Sequence, residues 1–323
     1  MTRRVAALDC GTNSLRLLVA DVDVEHRTLT DVERQMEIVR LGQGVDITGR
    51  LAPGALDRTM AALTGYAGVI SRLEAEAVRM VATSATRDAA NSAEFVRRVT
   101  DILGTKPEVL TGEEEARLSF TGATAELAGD GSVDPPCLVV DIGGGSTEFV
   151  LGRPGAPGGP ASEAAVSVDI GCVRMTERHL RTDPPAPGEI ARATADIDAA
   201  IDYAAGQVAA REARTLIGLA GSVTTVAGIA MDLPAYDAAR LHHARIPAAQ
   251  VHAVTERLLS LTRAARAGIG VMHPGRVDVI GAGSLILDRI MTRLGMGEVL
   301  VSEHDILDGI AWSIASSRPA AGR

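Results

Sequence analysis

The sequence repeats itself. VAALDCGTNSLRLLV (5–19) aligns with CLVVDIGGGSTEFVL (137–151) at an offset of 132 residues, so Asp9 falls on Asp141, Gly11 on Gly143 and Ser14 on Ser146. Each copy is an apolar run, a turn of small residues and a second apolar run. Self-similarity of this kind marks a structural unit used twice. Strand, turn and strand predict a hairpin whose tip carries an aspartate and a row of backbone N–H groups. Two such units predict two related lobes facing each other across a cleft.

Between and after the copies the pattern alternates, predicting an α/β fold. Residues 53–73 have helical spacing, VRMVA (78–82) reads as a strand, and Asn91 with Glu94 reads as a capping box for a helix through Leu103. PEVLT (107–111) reads as a strand and 112–127 as a helix. The polar turn GDGSVDPP (129–136) marks the boundary between lobes, and RPGAPGGPAS (153–162) marks a hairpin tip. A long Ala-rich helix is expected to about Ala210, then strand, turn and helix from RTLIGLAGS (214–222), and an amphipathic helix from Glu303 to Ser316. The expected division is 1–127, joined by the C-terminal helix at 303–317, and 128–302. At 323 residues the chain is long enough for two domains of ~150 residues. With only 2% aromatic residues, their cores must be built from Ala, Val, Leu and Ile.

Composition removes several classes of function. The chain has a single lysine, Lys106, and Pro107 follows it, so there is no Walker A loop. A net charge of −9 argues against general binding of nucleic acid or anionic membranes, so an anionic substrate must be held by a local site. No apolar run reaches the ~18 residues of a membrane span. The polar N-terminus does not read as a secretory signal, and Cys10, Cys137 and Cys172 fit no zinc or disulfide pattern. A cytoplasmic protein is expected.

The candidate chemistry lies in the repeated turns. In DIGGGSTE (141–148), Gly143, Gly144 and Gly145 let backbone N–H groups approach an anion closely, and Ser146 and Thr147 add hydroxyls. Asp141 and Glu148, at the two ends of the turn, can both face a divalent cation such as Mg²⁺. In DCGTNS (9–14), Thr12, Asn13 and Ser14 around Gly11 can donate to phosphate. Asp9 either holds a metal-bound water or orients the turn. Arg16 points into the cleft or to solvent, while Cys10 alternates away from Asp9 into the core.

TGEEEARLSF (111–120) holds three adjacent glutamates, which face different directions on a helix. Thr111 and Glu114 form a capping box. Glu113 falls on the stripe of Ala116, Phe120 and Ala123 near the helix dipole. Glu115 is left as the candidate general base, although three acids can also simply stabilise a helix N-terminus. Ser84, Thr86 and Arg87, at the end of the 78–82 strand, suit either phosphate contact or capping of the next helix. The helix start at Ser222 is a weaker anion site. The His304-Asp305 pair, with His273 upstream, superficially resembles an HD-type metal site, but that site needs a further distant aspartate, so the pair reads as ordinary chemistry at a helix N-terminus after Ser302.

Eight segments in order, DCGTNSLRLLV, RLGQGVDITGRL, ATSATRDA, TGEEEARLSF, DIGGGSTEFV, GLAGSVTT, RVDVIGAGSLIL and VSEHDILDGI, resemble the exopolyphosphatase/guanosine pentaphosphate phosphohydrolase (Ppx/GppA) family from Val5 to about Ile314. The resemblance implies the actin-like ATPase fold, with two ribonuclease-H-like lobes and the active site between them. It implies Glu115 as the base that activates water, with Asp141 and Glu148 as ligands of Mg²⁺ (or Mn²⁺). Asp9 is expected beside that metal. The backbones at 11–14 and 143–147 would cradle phosphates, with Arg87 near them. Inorganic polyphosphate is the implied substrate, pppGpp the alternative on the same site, and a homodimer the implied assembly. Three features depart from the family pattern: a C-terminal helical extension of longer relatives is missing, the interval from Glu115 to Asp141 is longer, and Arg16 often differs. The missing extension favours short polyphosphate or pppGpp. A kinase of the same fold and a non-catalytic sensor of polyphosphate or pppGpp are the rival readings.

Overall fold

The computed structural model describes residues 2–127, 131–155 and 162–317. The chain divides into two compact units. Unit 1 is Met1–Ser132, Pro154–Ala161 and Asp305–Arg323; unit 2 is Val133–Arg153 and Ser162–His304.

In unit 1, β1 (Thr2–Cys10), β2 (Ser14–Asp23) and β3 (Thr28–Ile38) form an antiparallel meander. Strands β4 (Ala77–Ala82) and β5 (Glu108–Val109) join on the other side of β1 in parallel, giving the order β3-β2-β1-β4-β5. Because side chains alternate along a strand, β1 feeds two cores. Ala6, Leu8 and Cys10 pack with Leu56, Leu63, Tyr66 and Phe95 from the helices Pro53–Arg72 and Ser92–Leu103. Val5 and Ala7 pack on the opposite face with Ile306, Ile310 and Trp312 of the helix Ile306–Ser316. Cys10 is thus a core residue, as alternation predicts.

Unit 2 repeats this plan. Strands β6 (Cys137–Ile142), β7 (Thr147–Gly152) and β8 (Ser162–Val168) form the meander. β9 (Thr215–Leu219) pairs in parallel with β6, and β11 (Glu298–Val301) in parallel with β9. A short strand, β10 (Arg245–Pro247), caps the edge antiparallel to β11. The order β8-β7-β6-β9-β11-β10 matches unit 1 over its first five members. Apolar residues from the Ala-rich helix Pro187–Gln207 and the helix Ile280–Leu294 cover the sheet, including Ile197, Ile201, Ile286 and Ile290. All three phenylalanines of the chain, Phe95, Phe120 and Phe149, are fully buried. Each contributes roughly 1.5–3 kcal/mol of burial, whereas Tyr203 and Tyr236 are exposed.

Local predictions fared unevenly. The Thr111–Glu114 capping box is present, with the Thr111 hydroxyl accepting from the Glu114 N–H at 3.2 Å and the Glu114 carboxylate accepting from the Thr111 N–H at 2.8 Å. The Asn91–Glu94 box is not. Asn91 precedes the helix, but its side chain bonds the backbone of Leu51 instead, accepting from the N–H at 2.8 Å and donating to the carbonyl at 3.1 Å. A tertiary clamp with two bonds outcompetes a local cap. PEVLT shrinks to the two residues of β5, and the helices expected to reach Leu127 and Ala210 end at Thr124 and Gln207. The C-terminal helix begins at Ile306 behind the cap Asp305, not at Glu303. Most of the expected hairpin tip at 153–162 lies outside the described residues.

Glu189 anchors the entry to the long helix of unit 2. Its carboxylate accepts from the Thr182 hydroxyl and from the N–H groups of Ala186 (3.0 Å), Thr182 (3.2 Å) and Arg181 (3.3 Å). The Thr182 hydroxyl and the Ala186 N–H lead in holding its pKa down to about 2. A depressed carboxylate pKa contributes stability that is fully present above the unfolded value of ~4.3 and is lost as pH falls toward the folded one. The melting temperatures of the wild type and Glu189→Gln should therefore differ at pH 7 and converge as pH drops from 4 towards 2. An undiminished gap at pH 2 would remove this role.

Candidate active site

The two repeated turns share one backbone design. The Gly11 N–H donates to the Ser14 carbonyl at 3.0 Å, and the Gly143 N–H donates to the Ser146 carbonyl at 3.0 Å. Around that common frame the side chains diverge.

In unit 2, the carbonyls of the 143–145 turn are drawn to one side. The N–H of Cys172 donates to the Gly143 carbonyl (3.0 Å), those of Val173 and Arg174 to the Gly144 carbonyl (2.9 and 3.1 Å), and the Arg174 Nε to the Gly145 carbonyl (2.6 Å). These donors open the helix Cys172–His179. With its carbonyls so engaged, the turn can turn its N–H groups to an anion, the arrangement a phosphate cradle requires. The close approach depends on Gly171, where a Cβ would overlap the Gly144 peptide. Gly171 and Arg174 were not identified from sequence; a glycine opening a helix some 25 residues past the turn is too weak a local signal.

Asp141 and Glu148 stand directly opposite each other in the β6–β7 ladder, and both residues are buried. Like charges at directly opposed positions repel. Two buried carboxylates in that register make a hard oxygen donor pair, which suits a divalent cation. The Ser167 hydroxyl donates to Glu148 Oε1 at 2.7 Å and fixes its orientation. Thr147, expected as a phosphate donor, faces the other way. Its hydroxyl donates to the Ile170 carbonyl at 2.5 Å, because a residue next to Glu148 on a strand must point to the opposite face. Ser146 is buried at the end of the turn.

In unit 1, the segment after β3 props the turn. The Asn13 carbonyl accepts from the N–H groups of Val39 (3.0 Å) and Arg40 (2.9 Å), and the Thr12 carbonyl accepts from Gly42 (2.8 Å). The Thr12 and Ser84 hydroxyls share a buried hydrogen bond of 2.9 Å. Ser84 therefore braces the turn and does not cap the following helix.

Asp9 has the register position of Asp141 but different surroundings. Opposite it in the β1–β2 ladder stands Arg16, at the place that Glu148 holds in unit 2. Arg16 donates to Asp9 Oδ2 from Nε (3.0 Å) and Nη2 (2.7 Å), and from Nη1 to Asp305 Oδ2. Where Asp9 was expected beside a metal, a guanidinium meets it. Asp9 Oδ1 is buried with no hydrogen-bond partner among the described residues. Burial pushes the Asp9 carboxyl above the usual range, with Arg16 pulling the other way. For Asp305, burial works against ionisation, but Arg16 and Arg34 outweigh it and hold the carboxyl below its ordinary value. The histidine beside it, His304, donates its N–H to the Ser302 hydroxyl at 3.1 Å.

The three glutamates of the helix Gly112–Thr124 divide their roles. Glu114 caps. Glu113 is exposed and pairs with Arg117 at 2.6 Å, so it does not lie on the apolar stripe of Ala116, Phe120 and Ala123. Glu115 alone is buried, and Arg87 donates to its Oε2 at 3.1 Å and to the Leu110 carbonyl at 2.9 Å. Arg87 thereby orients the Glu115 carboxylate. At the remaining weak candidate, Ser222 is the third residue of the helix Ala220–Ala230, and a Cβ on Gly221 would overlap the Arg276 guanidinium, which lies against that helix start.

Two sheets of matching order, each opening on a hairpin with an acidic turn, define a protein of the actin-like ATPase fold with two ribonuclease-H-like lobes. A model of the Ppx/GppA phosphatase family matches residues 18–318. The chain belongs to that family. It is 49% identical over 323 residues to Exopolyphosphatase 2 of Mycobacterium tuberculosis, covering 97% of this chain and 98% of the relative. Among solved structures, an exopolyphosphatase-like protein is 42% identical with a TM-score of 0.91, covering 97% of this chain and 98% of that one. The Ppx/GppA enzyme of Aquifex aeolicus is 29% identical with a TM-score of 0.79, covering 97% and 100%.

Proposed function

We propose that this phosphatase is an exopolyphosphatase, releasing orthophosphate from the end of inorganic polyphosphate. The observation that carries the reading is the pairing of an anion cradle at 143–145 with an opposed, buried Asp141–Glu148 pair in the same hairpin. The relatives named as exopolyphosphatases support polyphosphate over pppGpp.

With the Gly143 N–H closing the turn onto Ser146, the backbone N–H groups of Gly144 and Gly145 hold the oxygens of the terminal phosphoryl group. Asp141 and Glu148 would hold Mg²⁺ or Mn²⁺. Such an ion supplies charge neutralisation for the phosphoryl oxygens. Glu115, oriented by Arg87, takes a proton from the attacking water at its carboxylate. The P–O bond to the bridging oxygen breaks, that oxygen leaves as the new chain end, and the released orthophosphate carries the water's oxygen. Positioning and charge stabilisation do most of the work, as in phosphoryl transfer generally.

Phosphate release from short and long polyphosphates, pppGpp and ATP, with Mg²⁺ and with EDTA, tests the reading. Release from polyphosphate without any acceptor, dependent on the cation, is expected. Faster turnover of pppGpp than of any polyphosphate would reverse the substrate assignment, and tight binding without turnover would leave a sensor.

The cradle makes its own prediction. Gly171→Val would push the Gly144 peptide away from its donors, and misplacement by about 1 Å can cost ~10²-fold in rate. A loss of that order in kcat is expected with the sheet intact by circular dichroism. Unchanged turnover would separate the 143–145 turn from catalysis.

A further inference from the structure

The two hairpins are built on one plan, yet they carry opposite electrostatics at one position. The residue facing the turn's aspartate across the ladder is Glu148 in unit 2 and Arg16 in unit 1. In unit 2 the pair is two carboxylates, an oxygen donor set that suits a divalent cation. In unit 1 the pair is self-neutralising. Arg16 also reaches a second carboxylate, Asp305, whose Oδ1 accepts the Leu307 N–H at 3.0 Å and so caps the C-terminal helix. The side chains of Asp9 and Asp305 are only 4% and 8% exposed, and that of Arg16 is 18% exposed. Asp9 and Asp305 therefore form a buried acidic pair bridged by Arg16, with Arg34 acting on Asp305 as well.

We propose that Arg16 stands in unit 1 as a built-in replacement for a divalent cation, so that the chain takes one such ion, at Asp141–Glu148, and Asp9 ligates none. This rests on the reading of Asp141 and Glu148 as the cation site. Arginine suits the position because its fork engages two carboxylates at once and keeps its charge at every working pH. The consequence is an asymmetric pair of turns, one charged by an exchangeable ion and the other by a covalently attached guanidinium. Removing the guanidinium leaves Asp9 and Asp305 facing a shared space, which is a second oxygen donor set.

The test is Mn²⁺ binding to the full chain, counted by electron paramagnetic resonance of free Mn²⁺, together with melting temperatures in EDTA and in Mn²⁺. The wild type should bind one ion, and Asp141→Asn should bind none. Asp9→Asn should leave the count at one. Arg16→Gln should bind one ion more than the wild type, melt earlier in EDTA and recover on adding Mn²⁺, while Arg16→Lys should keep the wild-type count. If Arg16→Gln folds only with Mn²⁺ present, that too is the expected behaviour. A wild type binding two ions, one lost in Asp9→Asn, would overturn the proposal, because the unpartnered Asp9 Oδ1 would then be a ligand. A folded Arg16→Gln that binds no more Mn²⁺ than the wild type would overturn it as well. Should Arg16→Gln fail to fold in either condition, Asp9→Asn decides by its count. The gain in Arg16→Gln over the wild type judges Arg16, whereas the loss in Asp141→Asn judges the unit 2 site, so the two readings fail separately.

Discussion

Glu115→Gln should lower kcat for polyphosphate hydrolysis by about 10²–10⁴-fold, the usual contribution of a general base. The amide keeps the shape of the side chain but can neither take a proton nor pair ionically with Arg87. Glu115 sits at the fourth position of its helix, behind a complete Thr111–Glu114 box, so the helix start survives the change. Glu113 and Glu114 provide internal controls. Glu113→Gln breaks only an exposed ion pair with Arg117, which is worth at most ~1 kcal/mol, and should leave kcat unaltered. Steady-state phosphate release with each variant measures this, and a Glu115→Gln enzyme at the wild-type rate removes Glu115 from the mechanism.

The second large effect is expected at the crossing that holds the Glu115 helix in place. A Cβ on Gly309 would overlap the Leu118 carbonyl, and a Cβ on Gly122 would overlap the Asp305 carbonyl. The helices Gly112–Thr124 and Ile306–Ser316 therefore touch backbone to backbone, and neither can yield by turning a side chain. Overpacking in a filled core costs typically 1–3 kcal/mol and more where backbone is struck, so Gly309→Val should cost ~3 kcal/mol or more. For a unit of this size each kcal/mol lowers the melting point by roughly 2–4 °C, so a fall of about 6–12 °C is expected. Because the displaced helix carries Glu115, kcat should fall along with stability. A melting point within about 2 °C of the wild type would mean that the helices can separate without loss.

What the sequence shows well is what is local. The duplicated turns, the assignment of Cys10 to the core and the Thr111–Glu114 cap each need only a few neighbouring residues to be recognised. The rest depends on partners far apart in the chain. Arg16 meets Asp305 across 289 positions, and Asn91 abandons its cap for Leu51 across 40. No periodicity records such a choice. Helix-start chemistry at His304-Asp305 accounts for the cap that Asp305 makes but not for its contact with Arg16. Thr147 is different, since strand alternation alone places it opposite Glu148 in direction, and composition of the turn concealed that. The proximity of Gly309 to Leu118 and of Gly171 to Gly144 is legible only once the backbones are placed.

The most direct measurement is a single turnover on polyphosphate in ¹⁸O-water, with the products read by mass spectrometry. Attack of water on the last phosphorus puts one ¹⁸O in the released orthophosphate and none in the shortened chain, and the label should vanish with the activity in Glu115→Gln. Label in the shortened chain, or orthophosphate released without it, would contradict hydrolysis at the terminal phosphoryl group.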